Sequence, residues 1–288
     1  MHFLRERLTE VEITLNQTFV FAEVGSVRLR YAVKGVGPDL VMVHGVGSEL
    51  DEWADVASEL QNRYRTISFD LRGHGESSKP DGTYTLADFV NDTRGLVDSL
   101  GIKRFHLAGF SLGGLIAQGF ALTYPERLKS LILMSTVAGR SDEEKRLVRE
   151  RLAIIEGAIP GNHFDNSVAR WFTDDFRARN PKLIADLNAR SKLVNHATYA
   201  AAYRVLAEND LADRLPEIDL PALVATGEED MGSNTRMAKL MADRIEGAQL
   251  YIFPKMRHSI LTECPLDVAS VISSFLENVE GNRNVSDK

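Results

Sequence analysis

A serine between two glycines is the group in this chain best suited to chemistry. Ser111 lies in the stretch Gly109–Gly113 (GFSLG), which follows the apolar run Arg104–Ala108 and opens the helical pattern Leu112–Thr123. A G-x-S-x-G turn between a strand and a helix forces the serine into a strained conformation, and glycines avoid the collisions that larger side chains would cause. The serine oxygen is then held over the carboxyl end of a sheet. We therefore predict that Ser111 is a nucleophile.

Two polar loops farther along the chain contain the partners that a serine nucleophile needs. A base must remove the hydroxyl proton and a carboxylate must orient that base, in the chain order serine, acid, histidine. Asp230 ends a loop after the strand pattern Pro221–Thr226, and His258 ends a loop after the strand pattern Gln249–Phe253. Both loops are expected at the sheet edge that holds Ser111. We predict that His258 is the general base and that Asp230 orients its ring.

The acid has alternative assignments in the same region. Asp230 could serve only as a cap for the helix from Ser233 onward, and Glu228 or Glu229 would then replace it. The other position for the acid, after the preceding strand, reads Ser135-Thr136 and contains no carboxylate. This favours Asp230 and leaves the two glutamates as alternatives.

Two backbone N–H groups are needed to stabilise the oxyanion that forms when a serine attacks a carbonyl. One belongs to Leu112, the residue after the nucleophile. The second is expected from the glycine loop His44–Ser48, which follows the apolar run Leu40–Val43, and we predict Val46 as its donor. A glycine-rich loop can also bind phosphate, but neither G-x-x-x-x-G-K-[ST] nor G-x-G-x-x-G occurs here. The loop is therefore interpreted as part of an oxyanion hole.

Buried strand patterns alternate with helical patterns, including Asp51–Leu60, which predicts an α/β fold with a doubly wound, mainly parallel, eight-stranded sheet. Between Arg140 and Asp213 the helical segments occur without a strand. We predict a core of residues 1–139 and 214–288, and a helical cap of residues 140–213 over the carboxyl ends of the strands. Residues 1–16 are predicted to be a mixed-charge extension. The strand patterns are Phe19–Glu23, Val27–Lys34, Leu40–Val43, Tyr64–Phe69, Arg104–Ala108, Leu128–Met134, Pro221–Thr226 and Gln249–Phe253.

The composition narrows the class of protein. The chain has 288 residues, 44% of them hydrophobic, a net charge of −7 and one cysteine, Cys264. The negative charge argues against electrostatic binding to nucleic acid or an anionic membrane. The sequence has no apolar signal segment and no apolar run near the ~20 residues of a membrane span. We expect a cytoplasmic protein with a small-molecule substrate and neither a nucleic-acid nor a membrane partner, and leave open whether it forms a homodimer.

Taken together, these motifs resemble the α/β-hydrolase superfamily over residues Phe19–Leu276. Within it the chain is most similar to 3-oxoadipate enol-lactonases and related small-ester or lactone hydrolases, including in the segment Arg170–Thr173. The resemblance implies a serine hydrolase that cleaves a small carboxylic ester or lactone through an acyl-enzyme, with no cofactor and no metal. The motifs that carry it are His44-Gly45, Asp70–Gly75, the turn around Ser111, Gly227–Asp230 and His258.

Two departures from the family pattern bear on the substrate. The lactonases have a polar pair where this chain has His44-Gly45, and many relatives have glycine where this chain has Arg257. We interpret Arg257 as solvated, with a substrate carboxylate as its alternative partner. The same triad also supports an amidase or a C–C bond hydrolase acting on vinylogous diketones. The alternative that is not an enzyme is a ligand-binding receptor of the same fold with little turnover.

Three aromatic residues, Trp53, Trp171 and Phe172, are candidates for the apolar wall of a substrate pocket, although buried aromatics also serve simply as core. Arg72 and His74 are interpreted as structural groups that bridge loops by hydrogen bonds.

Overall fold

The computed structural model describes residues 20–157 and 163–286. Eight strands form one sheet in the order β1-β2-β4-β3-β5-β6-β7-β8, in which β1 and β2 pair antiparallel with their neighbours and the other strands pair in parallel. The predicted fold class is confirmed. The predicted extension of residues 1–16, and Phe19, lie outside the described residues. The strands are β1 Val20–Val24, β2 Val27–Lys34, β3 Asp39–Val43, β4 Arg65–Phe69, β5 Phe105–Phe110, β6 Leu128–Met134, β7 Ala222–Gly227 and β8 Gln249–Phe253.

Helices cover both faces of the sheet. The Thr85–Asp88 capping box shows how local sequence sets a helix start, because the Thr85 hydroxyl accepts from the Asp88 N–H while the Asp88 carboxylate accepts from the Thr85 N–H. The helices are α1 Ala54–Leu60, α2 Leu86–Ser99, α3 Leu112–Thr123, α4 Asp142–Gly157, α5 His163–Trp171, α6 Asp174–Arg179, α7 Pro181–Ser191, α8 His196–Glu208, α9 Thr235–Arg244, α10 Ile260–Glu263 and α11 Pro265–Ser286, with short 3-10 helices at Leu50–Trp53, Pro125–Arg127 and Ala212–Glu217. Among these described helices, none has the length and apolar character needed to cross a bilayer.

The sheet separates two apolar clusters, and β3 contributes to both. Val41 and Val43 pack into the larger cluster, whereas Leu40 and Met42 face the cluster on the opposite side. Alternate residues of a strand point to opposite faces, so a strand with helices on both sides must be apolar throughout. This explains the uninterrupted apolar run that identified β3 in the sequence.

The chain between β6 and β7 forms five helices, α4 to α8, and its described residues contain no strand. We call this segment the helical insertion. Its two ends are joined at one point, because the N–H groups of Gly139 and Arg140 donate to the Asp210 carboxylate at 2.8 and 2.9 Å. The Arg140 guanidinium also donates to the carbonyls of Leu206 and Asn209. The division of the chain into a core and a cap domain stays a prediction.

Candidate active site

Ser111 lies in the sharp turn between β5 and α3. Its φ is 54° and its ψ −114°, a left-handed conformation that a residue with a side chain adopts only under strain. The flanking glycines permit the turn, because a Cβ on Gly109 would lie 2.1 Å from the Gly113 carbonyl oxygen and a Cβ on Gly113 would lie 2.2 Å from the Val43 carbonyl oxygen. The turn therefore has the geometry that the G-x-S-x-G pattern predicts.

The glycine loop His44–Ser48 packs directly against this turn. A Cβ on Gly45 would lie 3.2 Å from the Ser111 Cβ. Leu112 is the first residue of α3, so its N–H belongs to the first turn, where backbone donors have no partner within the helix. Val46 lies in the glycine loop and is half-buried. The two predicted oxyanion donors thus lie on neighbouring segments, and their role stays a prediction.

His44 fixes the glycine loop to the end of β4. Its Nε2 accepts from the Leu71 N–H at 3.0 Å, so its Nδ1 carries the proton and donates to the Gly45 carbonyl at 2.7 Å. Burial lowers the pKa of His44 to about 4, which keeps the ring neutral at ordinary pH. Its role is structural: a neutral imidazole with one donor and one acceptor nitrogen satisfies both backbone groups.

His258 and Asp230 are in direct contact. The His258 Nδ1 donates to the Asp230 Oδ2 at 2.7 Å, and Asp230 is buried. The other carboxylate oxygen accepts from the N–H groups of Gly232 and Ser233 at 2.8 and 2.9 Å. Burial raises the pKa of Asp230, but the charge and hydrogen bond of His258, with these two N–H groups, outweigh it and hold that pKa below its usual value. Asp230 therefore remains a carboxylate that fixes the histidine tautomer.

The alternative roles in this loop belong to other residues. Asn234 caps α9 by accepting from the Met237 N–H, so the helix does not need Asp230 as its cap. Glu228 accepts from the Lys255 N–H at 2.8 Å, and Glu229 lies 3.7 Å from the Arg257 guanidinium. Among the carboxylates of the described residues, Asp230 is the one bonded to His258.

The helical insertion is attached to the loop that contains His258. The Ser259 N–H donates to the Trp171 carbonyl at 2.9 Å, and the Glu263 carboxylate accepts from the N–H and hydroxyl of Thr173. From the sheet side, the ring of Phe110, the residue before Ser111, lies 5.1 Å from the His258 ring between centroids. The histidine therefore lies between the serine turn and the insertion.

Arg257 is not solvated, and that interpretation is wrong. Its Nη1 donates to the carbonyls of Ala169 and Phe172 at 2.7 and 3.0 Å and pairs with Asp174 at 2.8 Å. These acceptors lie on the insertion, so the side chain joins the His258 loop to it. These hydrogen bonds use Nη1, so the alternative of a substrate carboxylate as a partner of Arg257 stays a prediction.

Comparison with known proteins decides the family. The alpha/beta hydrolase fold family matches residues 38–265. The chain belongs to this family. It is 30% identical to (E)-2-((N-methylformamido)methylene)succinate hydrolase of Acinetobacter baylyi, over 86% of this chain and 93% of the relative. It is 29% identical to 3-oxoadipate enol-lactonase 2 of the same organism, over 78% of this chain and 85% of the relative. The crystal structure of the enol-lactonase from Burkholderia xenovorans superposes with a TM-score of 0.83 at 27% identity, covering 89% of this chain and 99% of that one.

The three predicted pocket aromatics of this α/β hydrolase differ in their surroundings. Trp53 is fully buried in the cluster that contains Leu40 and Met42. Phe172 is buried and stacks on Phe176 with ring centroids 5.5 Å apart. Trp171 is half-buried beside the His258 loop. Trp171 and Phe172 therefore both lie next to the His258 loop, to which their carbonyls bond, and the pocket-lining role of all three stays a prediction.

Arg72 has the structural role that the sequence indicated. Its guanidinium donates to both oxygens of the buried Asp92 carboxylate at 2.6 and 2.7 Å and thereby joins the turn after β4 to α2. The His74 Nδ1 bonds to the Arg72 carbonyl at 2.9 Å. Within the described residues, no cluster of three or more His, Cys, Asp or Glu side chains could hold a metal ion.

Glu52 is a member of the site that the sequence did not reveal. Its carboxylate accepts from the Gly45 N–H at 2.8 Å, directly beside the predicted donor Val46. Burial raises the pKa of Glu52 to about 7, and the Gly45 N–H, the charge of His258 and the Ser48 hydroxyl only partly oppose the rise. The site thus contains a second carboxyl group, and unlike that of Asp230 its pKa is raised to about 7; perturbed pKa values are common in functional sites.

Proposed function

We propose that this α/β hydrolase is a serine hydrolase that cleaves a small carboxylic ester or lactone through an acyl-enzyme. In this proposal Ser111 is the nucleophile, His258 the general base and acid, and Asp230 the orienting carboxylate. The N–H groups of Val46 and Leu112 stabilise the oxyanion, and the helical insertion covers the site as a cap. No cofactor or metal takes part.

The chemistry follows from the proton positions. The His258 Nδ1–H group is hydrogen-bonded to the Asp230 carboxylate, so Nδ1 keeps its proton and Nε2 carries the lone pair. Nε2 takes the Ser111 proton as Oγ attacks the carbonyl carbon. When the tetrahedral intermediate collapses, the carbon–oxygen bond to the leaving group breaks and Nε2 protonates the leaving oxygen. Water then attacks the acyl carbon and gives a proton to Nε2. The bond from the acyl carbon to Ser111 Oγ breaks, Nε2 returns that proton to Oγ, and the free acid leaves.

The observation that carries the proposal is the 2.7 Å bond between His258 and Asp230 beside a serine in a left-handed turn. A nucleophile with an oriented base, and nearby N–H donors, is suited to acyl transfer. The relatives named enol-lactonase favour an ester or lactone bond. The relative named for a formamido-substituted succinate favours amide cleavage as the second candidate, with the same residues in the same roles.

The test uses 4-nitrophenyl acetate and a fluorophosphonate probe. We expect turnover of the ester and labelling of one serine, and loss of both in Ser111→Ala with the circular dichroism spectrum unchanged. Ser273→Ala is the matched control, because this serine is on α11, where its hydroxyl donates to Glu277 one turn away. Unchanged turnover in Ser111→Ala would show that the mechanism is wrong. Tight binding of the ester with neither turnover nor labelling would indicate a receptor instead.

A further inference from the structure

Tyr199 on α8 marks the place where the helical insertion meets the glycine loop. A Cβ on Gly47 would lie 2.5 Å from the Tyr199 Cε2, so the ring lies directly against the loop backbone. Tyr203, one turn later, stacks on Tyr199 with centroids 6.2 Å apart, and both rings are buried. The two tyrosines thus extend from the glycine loop into the insertion.

Two arginines lie around this pair of rings. The Arg151 Nη1, from α4, donates to the Tyr203 hydroxyl at 3.3 Å. Arg170, near the end of α5, donates from Nη2 to the Ser167 hydroxyl at 2.7 Å, and it is close enough to Arg151 for the positive charge of Arg151 to act on it. The two guanidinium groups therefore belong to one cluster.

The position of Arg170 connects this cluster to the candidate active site. The next residue, Trp171, accepts the Ser259 N–H, and Ser259 directly follows His258. Asp230, which is hydrogen-bonded to His258, is also near enough for its negative charge to act on the Arg170 guanidinium. Arg170 therefore lies on the side of the insertion that faces the catalytic candidates.

The charge of the cluster is not balanced by the described side chains. Neither Arg151 nor Arg170 forms an ion pair with any carboxylate among them, and the hydrogen bonds of both go to hydroxyl groups. Burial, and next the positive charge of Arg151, lower the pKa of Arg170. Other arginines of the insertion do pair with carboxylates, namely Arg146, Arg177, Arg179, Arg190 and Arg204.

Partly buried like charges without a counterion are costly, and a bound anion removes that cost. The flat guanidinium fork matches a carboxylate in shape and in hydrogen-bond direction. We propose that Arg151 and Arg170 bind a carboxylate of the substrate, so that the ester or lactone cleaved carries a separate, negatively charged acid group. This inference rests on the proposed function and adds the substrate class to it.

The test compares two esters that differ in this one group, 4-nitrophenyl hydrogen glutarate and the uncharged 4-nitrophenyl pentanoate, with spontaneous hydrolysis subtracted. We expect the wild-type kcat/KM to favour the charged ester at least tenfold. Arg151→Gln and Arg170→Gln should each lower that ratio at least tenfold, mainly by raising KM for the charged ester. Arg149→Gln is the matched control, because Arg149 is an exposed arginine on the same helix as Arg151 and should keep the wild-type ratio.

A second variant protects the test against a folding defect. Arg170→Lys keeps the charge but not the fork, so we expect an intermediate ratio. A wild-type ratio near one, or a ratio that Arg151→Gln and Arg170→Gln leave unchanged, would overturn the carboxylate site.

Calorimetry with glutarate separates this inference from the proposed function. Binding that weakens at least tenfold in Arg170→Gln would support the carboxylate site even if Ser111→Ala kept full hydrolysis and the serine mechanism failed. Equal glutarate binding by the wild type, Arg151→Gln and Arg170→Gln would disprove the carboxylate site. The serine hydrolase proposal would then stand on its own test.

Discussion

Replacing Glu52 with glutamine tests whether this carboxyl group is held protonated beside the glycine loop. Glutamine has the same shape and keeps an oxygen that can accept the Gly45 N–H, but it carries no charge at any pH. The change therefore isolates the ionisation of Glu52 from its hydrogen bond. Glu52→Ala would confound the two, because it leaves the Gly45 N–H without its acceptor.

The magnitude follows from the pKa of the folded state. Burial, the largest influence, raises the pKa of Glu52 from 4.5 to about 7. Below pH 4.5 both the folded and the unfolded protein hold the proton; between 4.5 and 7 the unfolded protein loses it first, so the free energy of unfolding falls as the pH rises. At about 1.4 kcal/mol per pH unit, the full loss is about 3 kcal/mol. Glu52→Gln does not undergo this loss.

Urea unfolding at pH 5 and pH 8 provides the measurement. At each pH the stability of Glu52→Gln is compared with that of the wild type. We expect this difference to be about 2 to 3 kcal/mol more favourable to the variant at pH 8 than at pH 5. The control is Glu59→Gln, at an exposed position on α1, which should change stability by less than about 0.5 kcal/mol at both pH values. In the pH profile of kcat/KM, Glu52→Gln should also remove one ionisation near neutral pH. A stability difference between Glu52→Gln and wild type that is identical at pH 5 and pH 8 would refute the reasoning.

Two further predictions concern the glycine loop and acid stability. Gly25 has φ +57° and open space around its Cβ position, so Gly25→Ala should cost about 1 kcal/mol of stability and leave kcat/KM unchanged. In Gly47→Ala the new Cβ would also collide with the Tyr199 ring, so this variant should in addition lower kcat/KM at least tenfold. Equal effects of the two alanines in urea unfolding and ester kinetics would contradict a role for the loop. Burial lowers the pKa of His44 from 6.5 to about 4 and that of His74 from 6.5 to about 3. As the pH drops, the unfolded protein therefore binds protons before the folded protein does. The free energy of unfolding should fall by several kcal/mol between pH 6.5 and pH 3. The measurement is the urea midpoint of the Glu52→Gln variant, which lacks the opposite pH dependence that Glu52 gives the wild type. A midpoint that stays constant from pH 7 to pH 5 would exclude this effect of the two histidines.

The sequence predicted the fold and the three triad candidates because their signals are local. A strand buried on both faces is a run of apolar residues, and the turn around Ser111 requires its glycines within two positions. Asp230 and His258 could be selected because each follows a strand of a parallel sheet, and the carboxyl ends of such strands share one edge. Chain order therefore implied proximity.

Arg257 could not be interpreted correctly from the sequence, because its partners are distant in the chain. In a sequence, a loop arginine resembles any solvated side chain. Its carbonyl acceptors, Ala169 and Phe172, come within reach only when the insertion docks on the His258 loop. Backbone acceptors carry no side-chain signature that a sequence pattern could show.

Glu52 was hidden for a different reason. The spacing of Asp51–Leu60 indicated one helix. The structure instead has a 3-10 helix at Leu50–Trp53 before α1, and there the Glu52 carboxylate reaches the Gly45 N–H. The tighter winding of the first turn changes which direction each side chain takes. Periodicity alone does not distinguish the two helix types over four residues.

The Arg140–Asp210 junction has a consequence for how this protein can diversify. Because the chain leaves the sheet and returns to it at two adjacent points joined by these hydrogen bonds, the segment from α4 to α8 interrupts no strand. All eight strands and the turn around Ser111 lie outside this segment, so we expect an exchange for a segment of different length to preserve them. A replacement would also have to supply acceptors for Ser259 and Arg257, because these two residues of the His258 loop bond to carbonyls of the present insertion.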